Sequence, residues 1–137
     1  MAAGVYLSIP FCRQKCTYCN FASGVFPREM EPNYLAALEA EIGHTEWPWT
    51  PETVYLGGGT PTFFSDDELR TLMGLLREHF KLEPGGEYSI EVDPRKVGRD
   101  NVKQLAALGF NRMSVGVQDF SPEVQVAVNR VQSLDET

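Results

Sequence analysis

The sequence predicts an α/β fold of parallel strands joined by right-handed helical crossovers, on three observations. Strand-like and helix-like stretches alternate four times along 137 residues, and Gly- and Pro-rich breakers separate them. At 42% hydrophobic and 23% charged, the chain also carries enough apolar side chains for one buried core. A βα unit takes ~30 residues and a closed eight-unit barrel ~250. The chain is therefore expected to hold about four units of a (β/α) barrel, as one domain over residues 1–137 that is incomplete at its C-terminal end. No linker composition divides it.

Each element has a local reason. In residues 4–9, Val5, Leu7 and Ile9 alternate as in a short buried strand, and Pro10 ends it because proline donates nothing to a ladder. Over 32–42, Leu35, Leu38 and Ile42 recur at helical spacing around Glu39 and Glu41, which predicts an amphipathic helix. Trp47-Pro48-Trp49 breaks it, as a loop anchored by two indoles or as a contact surface. Residues 53–56 form a second strand running into Gly57-Gly58-Gly59-Thr60-Pro61-Thr62, a stretch that no regular element is expected to tolerate. Ser65 and Glu68 make a capping box, and Leu69, Leu72, Met73, Leu76 and Phe80 follow as an uninterrupted core stripe. After the Pro84-Gly85-Gly86 turn, a third strand covers 88–92 and stops at Asp93-Pro94. A third helix from about 100 to 108 ends on Gly109 with Phe110 behind it, as at a glycine C-cap. A fourth strand over 113–117 precedes Ser121-Pro122, an N-cap with proline at the first helical position, which opens a fourth helix through Val124 and Val128.

Composition excludes several classes. Twelve basic against nineteen acidic residues give a formal charge of −7, with no Lys/Arg cluster able to neutralise a row of phosphates, so no nucleic-acid partner is expected. No apolar run approaches the ~20 residues of a transmembrane span. The first strand-like stretch begins by Val5 with no basic and apolar leader before it, so a cytoplasmic location is expected.

The strongest chemical signal is Cys12-Arg13-Gln14-Lys15-Cys16-Thr17-Tyr18-Cys19, three cysteines at C-x3-C-x2-C spacing directly after a strand. An odd number packed into eight residues is a poor disulfide framework and a good metal-ligand set. Iron–sulfur cubanes usually take four thiolates, so three would leave one iron open to bind and activate a ligand. Zinc is the rival, in a closed Cys3His site. The two histidines, His44 and His79, sit far from the cysteines in the sequence and in no short ligand pair. Non-ligating cysteines are the third reading. The glycine stretch lacks the Lys-Ser/Thr end of a phosphate loop and the spacing of a dinucleotide fingerprint, which leaves close backbone approach to a ligand or a plain tight turn.

Tyr6-Leu7-Ser8-Ile9-Pro10-Phe11-Cys12 with its cysteine spacing, Gly57-Gly58-Gly59-Thr60-Pro61-Thr62, Glu91-Val92-Asp93-Pro94 and Ser114-Val115-Gly116-Val117-Gln118 resemble, in order, the radical S-adenosylmethionine family. More narrowly they resemble its oxygen-independent coproporphyrinogen III oxidase group, which includes a heme-chaperone paralogue. The match runs from residue 6 to about 130. The resemblance implies a 4Fe-4S cluster on Cys12, Cys16 and Cys19, with the open iron chelated by the amino and carboxylate groups of S-adenosylmethionine and used for reductive cleavage to a hydrogen-abstracting 5′-deoxyadenosyl radical. It places Gly58, Gly59 and Thr60 against the amino-acid end of that ligand and Glu91 on its ribose. It places Tyr18 beside the adenine, and Tyr6, Gln118 and Arg130 at further contacts. On the residues alone Glu91 could equally be a solvated strand-end acid, Tyr18 a loop aromatic and Arg130 a surface arginine. The family also implies an electron donor such as flavodoxin or ferredoxin, and porphyrinogen or heme as ligand.

Within the group the oxidases usually carry histidine where Ser8 stands, and cysteine where Phe21 stands. Asn20-Phe21 resembles the heme-chaperone branch, and that reading comes first, whereas Ala127-Val128-Asn129-Arg130 looks more like the oxidases. An oxidase would convert two propionates of coproporphyrinogen III to the vinyls of protoporphyrinogen IX. A chaperone would bind and transfer heme. A zinc-stapled structural domain is the third reading, and the 137-residue chain alone is expected to show no turnover.

Overall fold

In the computed structural model, which describes residues 2–137, a single sheet of four parallel strands runs in the order β1 (Gly4–Ile9), β2 (Thr53–Gly58), β3 (Glu87–Val92), β4 (Arg112–Val115). Helices α1 (Met30–His44), α2 (Asp66–Phe80) and α3 (Arg99–Leu108) make the successive crossovers, and α4 (Pro122–Ala127) follows β4. Neighbours in sequence are neighbours in the sheet, which is the βα progression of a barrel wall.

Alternation along each strand sorts the side chains into two faces. Leu7, Ile9, Val54, Leu56, Ile90 and Val92 are buried in one core with Leu38 and Ile42 of α1, the Leu69–Phe80 stripe of α2, and Leu105 and Leu108 of α3. Each such side chain contributes roughly 1.5–3 kcal/mol by leaving water. The other face is polar. Register sets Tyr6 beside Tyr55, Ser8 beside Gly57 and Glu91 beside Ser114.

The α2 prediction is borne out in detail: Ser65 accepts from the Glu68 amide while the Glu68 carboxylate takes the Ser65 amide, and all five stripe residues are buried. Gly109, at φ 104°, closes α3 by donating to the Ala106 carbonyl. Trp47 and Trp49 meet edge to face at 5.3 Å and both stay exposed.

Other boundaries need correction. Helix α1 begins at Met30, because proline in the first turn lacks only an amide that has no helical partner there. β2 continues through Gly57 and Gly58, paired with Ser8 and Ile9, so the first two glycines of the run are regular strand. Pro61–Phe63 is a short 3-10 turn that the sequence reading lacked. β4 ends at Val115, two residues early, because the Gly116 and Val117 carbonyls accept from Arg130 and Gln132 side chains. Ser121 makes no side-chain cap; its amide is taken by Asp119. In α4 the buried residue is Gln125, while Val124 and Val126 are exposed.

Candidate functional site

The cysteines sit on a loop that leaves the C-terminal end of β1 and is closed at its neck. Cys12 donates its amide to the Gly24 carbonyl, and Gly24 donates to Pro10, both at 2.9 Å. Phe11 anchors this neck, stacked on Phe63 at 5.3 Å and edge-on to Tyr34 and Phe26. All three thiols are free, with Cys16 buried and the others half-buried. Each sulfur has a polar neighbour. Thr60 Oγ1 donates to Cys12 Sγ and Arg130 Nη1 to Cys16 Sγ, both at 3.7 Å, and Ser23 Oγ lies 3.6 Å from Cys19 Sγ. The Ser23 bond holds the Cys19 thiol below its ordinary pKa, helped by the Phe21 backbone and the Lys15 ammonium and opposed by burial.

The glycine run passes directly beneath this loop. Gly58 has φ 101°, a left-handed backbone that side-chain-bearing residues rarely adopt. A Cβ on Gly59 would stand 2.7 Å from the Phe11 carbonyl, 2.8 Å from the Ile9 carbonyl and 3.0 Å from Cys12 Sγ. The Gly59 and Thr60 amides donate to Ile9 and Phe11, which ties the end of β1 to the glycine run.

Across the cleft, Glu91 projects from β3 on the polar face, where Tyr55 donates a 2.8 Å hydrogen bond to its Oε1. Tyr6 stacks on Tyr55 at 5.5 Å with its ring nearly parallel. Burial first, and then the Glu91 carboxylate, raises both tyrosine pKa values, so both stay protonated donors at neutral pH. Gln118, at φ 69°, lies just past β4. Arg130 is not the surface arginine that its position past α4 would suggest: its side chain is 11% exposed and lies 4.0 Å from Asp93. Asp93 is itself clamped by Arg95 through bonds of 2.5 to 3.1 Å. Burial pushes the Asp93 carboxyl up, but the Arg95 bonds and the Arg130 charge outweigh it and hold it below its usual value.

These groups share a cleft of about 1260 Å3 at the C-terminal ends of the strands, where barrel sites are built. It is lined by all three cysteines, Tyr18, Gly58, Gly59, Thr60, Glu91, Gln118 and Arg130. Of the cluster- and ligand-contact residues expected from the sequence, Tyr6 lies outside this lining, stacked on Tyr55. Sequence reasoning missed Tyr55, Asp93, Arg95 and Asn129. Tyr55 was findable, since it stands two residues before Gly57 and so shares its face. The Asp93–Arg95 pair is local, two residues apart, but no residue pattern marks it as part of a site, and Asn129 depends on contact between distant segments.

The donor chemistry fits an iron–sulfur cluster with a bound cosubstrate. Three free thiols converge on one cleft, a glycine stands where any Cβ would strike Cys12, and the buried Arg130 Nε and Thr62 Oγ1 have no hydrogen-bond partner. Among the described residues, no three His, Cys, Asp or Glu side chains converge to hold a single metal ion. A cubane gives each thiolate its own iron.

Comparison with known proteins agrees. The model of the radical SAM superfamily matches residues 6–137. The oxygen-independent coproporphyrinogen III oxidase of Pseudomonas aeruginosa is 44% identical over 97% of this chain and 30% of its own length. The heme chaperone HemW of Mycobacterium tuberculosis is 36% identical over 95% of this chain and 35% of its own length. The solved coproporphyrinogen III oxidase HemN of Escherichia coli, a radical SAM enzyme, superposes with a TM-score of 0.89 at 40% identity, covering 98% of this chain and 32% of that one. The chain thus spans about a third of the length of these relatives.

Proposed function

Because this chain belongs to the radical SAM superfamily, we propose that Cys12, Cys16 and Cys19 carry a 4Fe-4S cluster in the cleft and that S-adenosylmethionine binds beside it. The observation that carries this reading is the shared cleft, in which three thiols from one loop face Gly58–Thr60, Glu91, Gln118 and Arg130 from four other segments. When bound, the cluster supplies a single electron to the sulfonium of S-adenosylmethionine. The protein supplies placement and exclusion of solvent.

Each residue has a task that its surroundings support. The Gly58–Thr60 backbone lets the amino-acid end of the ligand approach closely, with no Cβ in the way. Glu91, fixed by the Tyr55 hydroxyl, accepts from ribose hydroxyls. Tyr6, outside the cleft lining, acts through Tyr55, on whose ring it stacks. Tyr18, at the mouth beside Cys19, covers the adenine. Arg130 Nε, buried and without a partner, offers a donor to a carboxylate, and Gln118 adds a neutral polar contact.

The whole protein then acts in porphyrin or heme metabolism as a radical SAM oxidoreductase or its chaperone relative. Asn20-Phe21 after the third cysteine supports a heme chaperone-like member, with heme as its ligand. Oxidative decarboxylation of coproporphyrinogen III is the second reading, favoured by the higher identity to the oxidases. Either requires a one-electron donor such as flavodoxin or ferredoxin. We place the protein in the cytoplasm, and no described helix is long and apolar enough to cross a membrane.

Anaerobic reconstitution with iron and sulfide, followed by EPR of the reduced protein, tests the site. A 4Fe-4S signal that shifts on adding S-adenosylmethionine is expected. Zinc retained with no cluster overturns the reading. Heme titration against coproporphyrinogen turnover, both on the whole protein, then separates the two branches.

A further inference from the structure

A loop carrying three thiols needs more than a closed neck. Between Cys12 and Gly24 there is no regular secondary structure, only short-range bonds from the Cys19 amide to the Cys16 carbonyl, the Ser23 amide to Phe21 and Lys15 Nζ to the Ser23 carbonyl. Residues 14–17 are tied besides to the turn that follows α4, more than a hundred residues away. Thr17 donates its amide to the Val128 carbonyl at 3.1 Å and its hydroxyl to Ala127 at 3.5 Å. Asn129 works in both directions: its Oδ1 accepts from Gln14 Nε2 at 2.5 Å, and its Nδ2 donates to the Lys15 carbonyl at 3.1 Å. Arg130 completes the row at Cys16 Sγ.

The turn is itself braced from behind. Arg130 donates its amide to the Gln125 carbonyl at 2.8 Å and its Nη2 to the Gly116 carbonyl at 2.6 Å, beside the Asp93–Arg95 pair. Residue 129 has φ 55°, the left-handed region that asparagine tolerates better than most side-chain-bearing residues. Asparagine also matches both of its loop partners. Aspartate would keep an acceptor for Gln14 but lose the donor to Lys15, and glycine would keep the backbone shape and lose both.

The geometry points to a clasp: the 127–130 turn pre-forms the cysteine loop before any cluster binds, with Asn129 as the positioning residue. The order of the empty loop is a property of the chain itself. Its consequence for a cluster rests on the function proposed above. A loop already held in shape presents its thiolates together and releases iron slowly. An unclasped loop must be ordered by the cluster itself.

Amide hydrogen exchange on the full 137-residue chain without metal tests the clasp directly. The Thr17 amide is expected to be protected. In Asn129→Gly and in Gln14→Ala its exchange should accelerate by about tenfold or more, with α2 amides such as Leu76 unchanged, as local opening requires. After reconstitution, a chelator should strip iron several-fold faster from Asn129→Gly than from the parent, with Asn129→Asp in between. Thr17 exchange at the unprotected rate in the parent, or unaltered in both variants, overturns the clasp. If Asn129→Gly does not fold, Gln14→Ala decides alone, because Gln14 is exposed and its side chain makes only the Asn129 bond. A parent chain that assembles no cluster overturns the cluster reading, while the exchange result still decides whether the turn orders the loop.

Discussion

Replacing Gly59 with alanine tests whether the glycine run and the cysteine loop are one mechanical unit. The added methyl would stand 2.7 and 2.8 Å from two carbonyl oxygens and 3.0 Å from Cys12 Sγ. The oxygens belong to backbone at the end of β1 and cannot swing away like a flexible side chain, so the strand end and the loop must move. Overpacking of this kind costs ~1–3 kcal/mol. The Gly59 and Thr60 amide bonds to Ile9 and Phe11, at 2.6 and 2.8 Å, are strained by the same displacement, and each contributes ~0.5–1.5 kcal/mol. Together these give about 2–4 kcal/mol, which at a urea m-value of about 2 kcal/mol/M lowers the midpoint by about 1–2 M. Equilibrium urea unfolding followed by tryptophan fluorescence and far-UV circular dichroism measures it, with iron bound per chain read in parallel. Gly74→Ala is the counterpart, since its Cβ meets nothing within 4 Å on α2, and it should stabilise by ~0.5–1 kcal/mol. A Gly59→Ala midpoint within about 0.3 M of the parent, with full iron binding, would refute the reasoning.

Three further outcomes are expected. Tyr55→Phe removes the hydroxyl that fixes Glu91; it should weaken S-adenosylmethionine binding up to about tenfold by calorimetry with little change in the urea midpoint, and unchanged affinity would remove Tyr55 from the site. The Asp93 carboxyl is held below the ordinary aspartate value of 3.8, so its contribution is present above that value and is lost as pH falls through its lower folded value. Urea midpoints taken from pH 6 down to 2 should therefore drop at the acid end, less steeply in Asp93→Asn, which should also be destabilised at pH 6 because the Arg95 charge is left buried. Leu76→Ala, at a fully buried stripe position, should cost ~2–5 kcal/mol, and a loss below 1 kcal/mol in chemical unfolding would mean the core is not packed as described.

The sequence by itself determined the order of the elements and singled out the candidate site. Helix α2 was legible because its capping box and its Leu69–Phe80 stripe are local, set by backbone geometry within a few turns. The cysteine spacing stood out because few residue types ligate metals, whereas Gly58–Thr60 and Glu91 were singled out by the family resemblance. Chain order also placed Glu91 at the C-terminal end of a strand. Tertiary structure decided what depends on contact between distant segments. Gly57 and Gly58 stay in strand because Ser8 and Ile9 lie alongside as their ladder partners. β4 stops early because Arg130 and Gln132 take its next carbonyls. Tyr6 stays out of the cleft lining because parallel register sets it against Tyr55. Arg130 is buried, and Asn129 grips the cysteine loop, because the chain folds the turn after α4 back over the end of β1. No period or propensity within a short window encodes that return, since its partners are more than a hundred residues apart.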